Sequence, residues 1–228
     1  MLCIGGASGT TQSNRSNLRF ATRARNRGGS RGRRVSETGA QVVRADARRN
    51  RDRLLEAAVR AFASGRAEVT LDAIAKTAGV GIGTLYRHFP TREALVEAAY
   101  RQELARLCDA VPGLLKALPP DEATRAWMDR CIDYMTTKRD MAGALRAVIA
   151  SGGNPYAESR ELLIAGITAL LDAGVTAGTL RSDVEPYDVL LGLSGVSLAA
   201  GEPAQREQAG RLLDLLVDGL RHGATEPG

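Results

Sequence analysis

The residues of this sequence best suited to chemistry stand close together between positions 70 and 92, and the chemistry they suit is contact with duplex DNA. Thr84 offers a hydroxyl for a base edge and a methyl group for thymine. Arg87 carries the planar fork that matches guanine O6 and N7, although it could serve a phosphate or stand solvated. Tyr86 and His88 can each donate to a phosphate oxygen; the alternatives are packing against a first helix for Tyr86 and a cap or core place for His88. Gly81 and Gly83, on either side of Ile82, let a backbone approach a duplex closely. Thr70, Thr91 and Arg92 fall at helix starts, where side chains and free N–H groups suit phosphate.

Nothing comparable points to catalysis. Cys3, Cys108 and Cys131 form no C-x-x-C pair, and an odd count argues against a disulfide framework. His88 and His222 lie far apart with no neighbouring ligand cluster. No nucleophile–base pair or phosphate loop is found in the rest of the chain, so neither a metal, a cofactor nor an enzyme is expected. Cys108 and Cys131 are read as small core residues.

Side chains that enter a groove need a rigid platform, and the local pattern supplies one. Leu54, Leu55, Ala58 and Phe62 make one apolar face of a helix that begins at about Asp46 and ends at Ser64-Gly65-Arg66. Thr70 is a good N-cap for a short helix from Leu71 to Ala78, and Gly79 sits where a left-handed turn residue belongs. A third helix runs from about Ile82 to His88 and stops before Pro90. Two helices crossing steeply need a small residue at the crossing, which is Ala75. Ile74, Val80 and Leu85 then form a small core beneath the outward residues of the third helix.

Thr91 caps a fourth helix, with Glu93 in its first turn, that reaches about Cys108 before Pro112, Pro119 and Pro120 break the chain. Five more helices are expected over about 121–138, 141–151, 157–173, 186–199 and 205–221. The fold class is therefore all-α, with about nine helices: a helix-turn-helix head over 46–92 and a larger helical domain over 93–228.

Hydrophobic residues make up 44% of the 228 but aromatics only 4%, which favours packed helices over an aromatic-rich sheet. There is no run of 18 apolar residues to span a membrane and no secretion signal, so the cytoplasm is the expected compartment. Residues 1–92 hold 18 basic and 6 acidic side chains, a net of +12, while residues 93–228 carry −7. A basic front half suits a polyanion. Much of that charge lies in residues 1–45, where eight arginines fall between Arg15 and Arg34. This segment has too little apolar surface to offset its ordering entropy and is expected to be disordered. It reads either as an arm that follows DNA or as a solvated leader, including one from a start codon placed too far upstream.

The run Gly79, Val80, Gly83, Thr84, Leu85, Tyr86, His88, Phe89, Arg92, Glu93 and Leu95 resembles the recognition-helix signature of the TetR (tetracycline-repressor-like) family. The resemblance implies base contacts around Gly83 and Thr84 and phosphate contacts from Tyr86, His88 and Arg92. Arg92 stands where lysine is usual and keeps the charge. Gly178, Thr179, Leu180, Arg181, Asp183 and Val184 are similar to the link before the penultimate helix of many such proteins. The resemblance also implies a homodimer through helices 186–199 and 205–221, with apolar stripes of Val189, Leu190, Leu193 and Val196, and of Leu212, Leu213, Leu216, Val217 and Leu220. Gly192 and Gly195 could let those helices approach closely. Finally it implies an unidentified small-molecule effector held among helices of about 93–173. The apolar candidates for its walls are Trp127, Met128, Cys131, Met135, Met141, Leu145, Ile149, Leu163 and Ile167. A helical enzyme with a vestigial head, or an architectural DNA-binding protein dominated by its arginine-rich arm, are the competing readings.

Overall fold

In a computed structural model of the chain, residues 31–64, 69–199 and 205–221 are described, with side chains from residue 41 onward. Residues 1–30 of the arginine-rich segment lie outside the described residues, as do Gly65, Arg66, Pro203 and His222. The chain divides after Val43 into two units, and the packing below concerns the second, from Arg44.

Nine helices and no strand are found among the described residues: α1 (Arg31–Ala63), α2 (Leu71–Ala78), α3 (Ile82–His88), α4 (Arg92–Ala117), α5 (Pro120–Asp140), α6 (Ala142–Ala150), α7 (Ser159–Thr176), α8 (Pro186–Ala199) and α9 (Arg206–Arg221). Two boundaries differ from expectation. α1 starts at Arg31, so residues 31–45 are helical rather than part of a disordered arm. Once the packed turns around Leu54 and Leu55 have met the cost of nucleation, each further residue adds a hydrogen bond cheaply, and no proline intervenes. α4 passes through Pro112 to Ala117 instead of ending near Cys108. Proline leaves the Cys108 carbonyl without its helical donor, at about 3 kcal/mol. Buried Leu107, Val111 and Leu114 flank the break and hold both halves on the core, each side chain contributing roughly 1.5–3 kcal/mol.

The caps form as the residue types dictate. The Thr70 hydroxyl oxygen accepts from Ala73 N at 3.2 Å and that of Thr91 from Ala94 N at 3.1 Å. Gly79 takes the left-handed conformation, φ 62°, and closes α2 with its N–H on the Ala75 and Lys76 carbonyls. The predicted head–body boundary at 92/93 falls on the first residues of α4, which runs uninterrupted from beside α3 into the core. There Tyr100, Leu104 and Leu107 meet Trp127, Met128 and Ile132 of α5, all buried.

The link after α7 is tightly built. Thr179 and Leu180 N–H groups both donate to the Gly174 carbonyl, and a Cβ on Gly174 would stand inside the Leu180 side chain. The Arg181 N–H donates to the Leu220 carbonyl at 2.8 Å, tying the link to α9. α9 is also held to α5 by charge: Arg125 reaches Asp214 at 2.7 Å, Arg206 reaches Asp129 at 2.9 Å, and Arg221 reaches Asp121 at 2.7 Å. These pairs are partly exposed, so they fix register more than they stabilise.

Candidate nucleic-acid interface

The helix-turn-helix is assembled from very few contacts. Ala75 and Ile74 of α2 are buried against Leu85 of α3, and Val80 N–H donates to the Ala75 carbonyl at 3.0 Å across the turn. Leu85 is the one fully buried residue of α3. A short amphipathic helix with a single inward anchor leaves most of its surface free. Gly81, Ile82, Gly83, Tyr86 and Arg87 are exposed, while Thr84 and His88 are half-buried.

Each candidate has a defined place. Tyr86 is 50% exposed, so packing on α1 does not account for it. The His88 ring lies 6.1 Å from that of Phe89, at the edge of the head's core. Neither Gly81 nor Gly83 has any atom within 4 Å of where a Cβ would stand, so packing within the chain does not require glycine there. Thr70 and Thr91 are exposed caps; each uses its oxygen as acceptor and keeps its hydroxyl proton for an outside partner. Arg92 is different. Its guanidinium donates to the Val69 carbonyl and lies 4.8 Å from the centre of the Phe62 ring, which fastens the start of α4 to the end of α1.

Two features escaped sequence reading. Arg51 of α1 lies 5.6 Å from the centre of the Phe89 ring, beside the C-terminal end of α3. In the body, the Tyr100 hydroxyl hydrogen-bonds that of Tyr134 at 2.6 Å and the Ser159 Oγ at 2.9 Å, a buried polar chain across α4, α5 and α7. Burial, and then Tyr100, push the Tyr134 hydroxyl well above its ordinary pKa, so it stays protonated. These residues are separated by 34 and 59 positions, and no local pattern links them.

The expected effector-wall residues are mostly packed. Trp127, Met128, Cys131, Met141, Leu145, Leu163 and Ile167 are buried and Met135 is half-buried. Trp127 Nε1 donates to the Leu107 carbonyl at 3.0 Å. Burial lifts the Cys131 thiol to about 12, which makes it an inert core residue. Ile149 is 48% exposed, because Leu145 and Val148 take the inner face of α6. A groove of about 250 Å³ between α4 and α5 is lined by Tyr134 and by charged residues including Arg106 and Asp133, not by these apolar side chains.

A short helix clamped by a glycine turn, with polar and glycine residues outward and a core beneath, defines a helix-turn-helix DNA-binding head on a helical body. Residues 54–99 match the description "bacterial regulatory proteins, tetR family", and residues 119–222 match the C-terminal domain of SbtR-like transcriptional regulators. A TetR transcriptional regulator of Streptomyces coelicolor, known as a crystal structure, is 59% identical; 75% of this chain and 98% of that one are covered, with a TM-score of 0.72. A TetR transcription regulatory protein from Mycobacterium vanbaalenii is 34% identical, with 79% and 99% covered and a TM-score of 0.62. The HTH-type transcriptional repressor AcnR of Corynebacterium diphtheriae is 27% identical over 179 residues, 75% of this chain and 91% of that protein. The chain belongs to the TetR family of transcriptional regulators. Among its described residues no helix is long and apolar enough to cross a membrane.

The empty space around Gly83 separates folding from binding. Gly83→Ala should leave stability unchanged or raise it by up to about 1 kcal/mol, since alanine is the better helix former. It should nevertheless weaken duplex binding at least several-fold. A melting curve and a binding isotherm on the same preparation check both halves.

Proposed function

We propose that this TetR-family regulator is a repressor that binds a palindromic operator as a homodimer and is released by a small-molecule effector. The observation that carries the reading is α3: Leu85 is turned in, and Gly83, Thr84, Tyr86 and Arg87 are left towards a partner. In this reading Thr84 and Arg87 meet base edges, with Ile82 offering an apolar contact. Tyr86, His88, Thr70 and Thr91 hold phosphates, with Gly81 and Gly83 allowing close approach. Arg92 can add its charge to the phosphate side while its main contact stays internal. Arg87→Ala should relax the preference at one position of each half-site, a loss of about 1–3 kcal/mol in discrimination. Selection of bound duplexes from a random pool measures it; an unchanged preference profile with uniformly weaker binding would remove Arg87 from the reading set.

Exposed apolar rows on the last two helices support the dimer. The stripes expected from sequence do not provide it: Val189, Leu190, Leu193, Val196, Leu213, Val217 and Leu220 are consumed by the chain's own core. A second row on α8 holds Tyr187, Leu191 and Leu198, with Leu191 52% and Leu198 77% exposed. Gly195 lies in that row with open space about it, whereas Gly192 faces Leu216 within the chain. On α9 the 69% exposed Leu215 is followed by Gly219, also open. Such rows in contact with water favour burial against a copy of themselves. The double substitution Leu198→Asp with Leu215→Asp should yield a folded monomer in sedimentation and lower operator affinity at least tenfold. A dimer that persists would move the interface elsewhere.

Effector release is supported by the continuity of α4 from the head to the buried Tyr100–Tyr134–Ser159 chain, a polar group set in an apolar body. A ligand that prefers one packing of α4 on α5 would shift the head between DNA-competent and incompetent arrangements. Trp127, the only tryptophan, reports on that packing. A compound that releases the duplex should also change Trp127 emission and raise the melting temperature of the free protein. Release with neither change would place its site outside the α4–α5 core.

A further inference from the structure

The basic residues of α1 have no part in the reading given above. Arg44, Arg48 and Arg51 recur at spacings of four and three, so they form one row along the helix. All three are exposed, and Arg44 and Arg48 have no ion-pair or hydrogen-bond partner among the described residues. Of the nearby carboxylates, Asp46 pairs with Arg49, and Asp52 makes no ion pair with the row among the described residues. At the far end of the row, Arg51 stands over Phe89, directly after α3. A further arginine of α1, Arg53, brings Nη1 to 4.0 Å from where a Cβ on Gly79 would stand, at the turn before α3. α1 therefore sets cations beside both ends of the recognition helix. An uncompensated row of guanidinium groups repels itself in the free protein, and a polyanion relieves that repulsion.

We propose that the row Arg44, Arg48 and Arg51 is a second DNA-contacting element of this chain, lying on phosphates that flank the groove entered by α3. This rests on the reading of α3 as the groove helix. Guanidinium groups pair with phosphate through two parallel N–H···O bonds. Because they are carried on a helix already formed, the row loses little entropy on docking. Phosphate contacts carry no sequence information, so the row adds affinity and salt dependence without changing which operator is chosen.

The test uses the full chain with Arg44→Ala and Arg48→Ala combined. Dissociation constants are measured against salt concentration on a selected operator and on a scrambled duplex of equal length. Two lost phosphate contacts should make the logarithmic salt slope shallower by about 2 and weaken both duplexes by the same factor. The charge-keeping pair Arg44→Lys with Arg48→Lys should restore most of the slope, with helix content by circular dichroism equal in all three proteins. An unchanged slope overturns the proposal, as does a loss confined to the operator, which would be base reading. A double variant that keeps duplex binding but no longer binds vesicles of anionic lipid would assign the row to a membrane instead. If the unsubstituted protein binds no duplex at low salt, the reading of α3 fails and takes the proposal with it. A slope unchanged in the variant removes the proposal alone.

Discussion

A seven-residue helix cannot hold its shape in water, because so few hydrogen bonds do not repay the cost of nucleation. α3 exists because Leu85 is sunk against Ile74 and Ala75 and because Gly79 turns the chain into position at φ 62°. The exposure of the candidate contact residues on α3 follows from that economy. One inward anchor leaves six of the seven α3 positions and its N-cap glycine at least partly accessible. The rigidity of the presented face comes from its neighbours: α2 through the turn, α1 through Leu54, Leu55 and Phe62, and α4 through Arg92 on the Phe62 ring and the Val69 carbonyl.

That last contact joins the head to the body. Arg92 is the first residue of a 26-residue helix whose later turns carry Tyr100, Leu104 and Leu107 into the core. No flexible linker lies between them, so in the proposed release a change in how α4 packs on α5 would reach the platform beneath α3. Two features of the body would ease such a change. Among the described residues every buried side-chain N or O atom is hydrogen-bonded, yet the hydroxyl chain of Tyr100, Tyr134 and Ser159 consists of groups that can each donate or accept. The ionic ties between α5 and α9 lie near the surface, where water can take over their partners at little cost.

Charge is divided in the same spirit. The acidic body ties several of its arginines to carboxylates of neighbouring helices, as with Arg125, Arg206 and Arg221. Arg44 and Arg48 of α1 have no carboxylate partner among the described residues. The net of +12 over residues 1–92 against −7 over residues 93–228 is what makes a modest overall charge of +5 a directional one.

Local chemistry was enough to settle much of this from the sequence. Threonine at positions 70 and 91, glycine at 79 and the 3.6-residue recurrence of Leu54, Leu55, Ala58 and Phe62 act within a few residues, so the caps, the turn and most helix limits were legible. The outward face of α3 was legible for the same reason, since a helix that buries Leu85 must expose its neighbours. What depended on distant partners was not. Pro112 reads as a break until the burial of Leu107, Val111 and Leu114 outweighs it. The apolar stripes of α8 and α9 could not be apportioned between core and exterior from their periodicity. Both helices are apolar on more than one face, and only the placement of α5, α7 and the other helix of the pair decides which face is covered. Likewise the meeting of Tyr100, Tyr134 and Ser159, and of Arg51 with Phe89, is a product of how helices cross. The sequence by itself determined the recognition unit, because capping and turn geometry are short-range; the tertiary structure decided what surrounds it, because burial is a property of the whole chain.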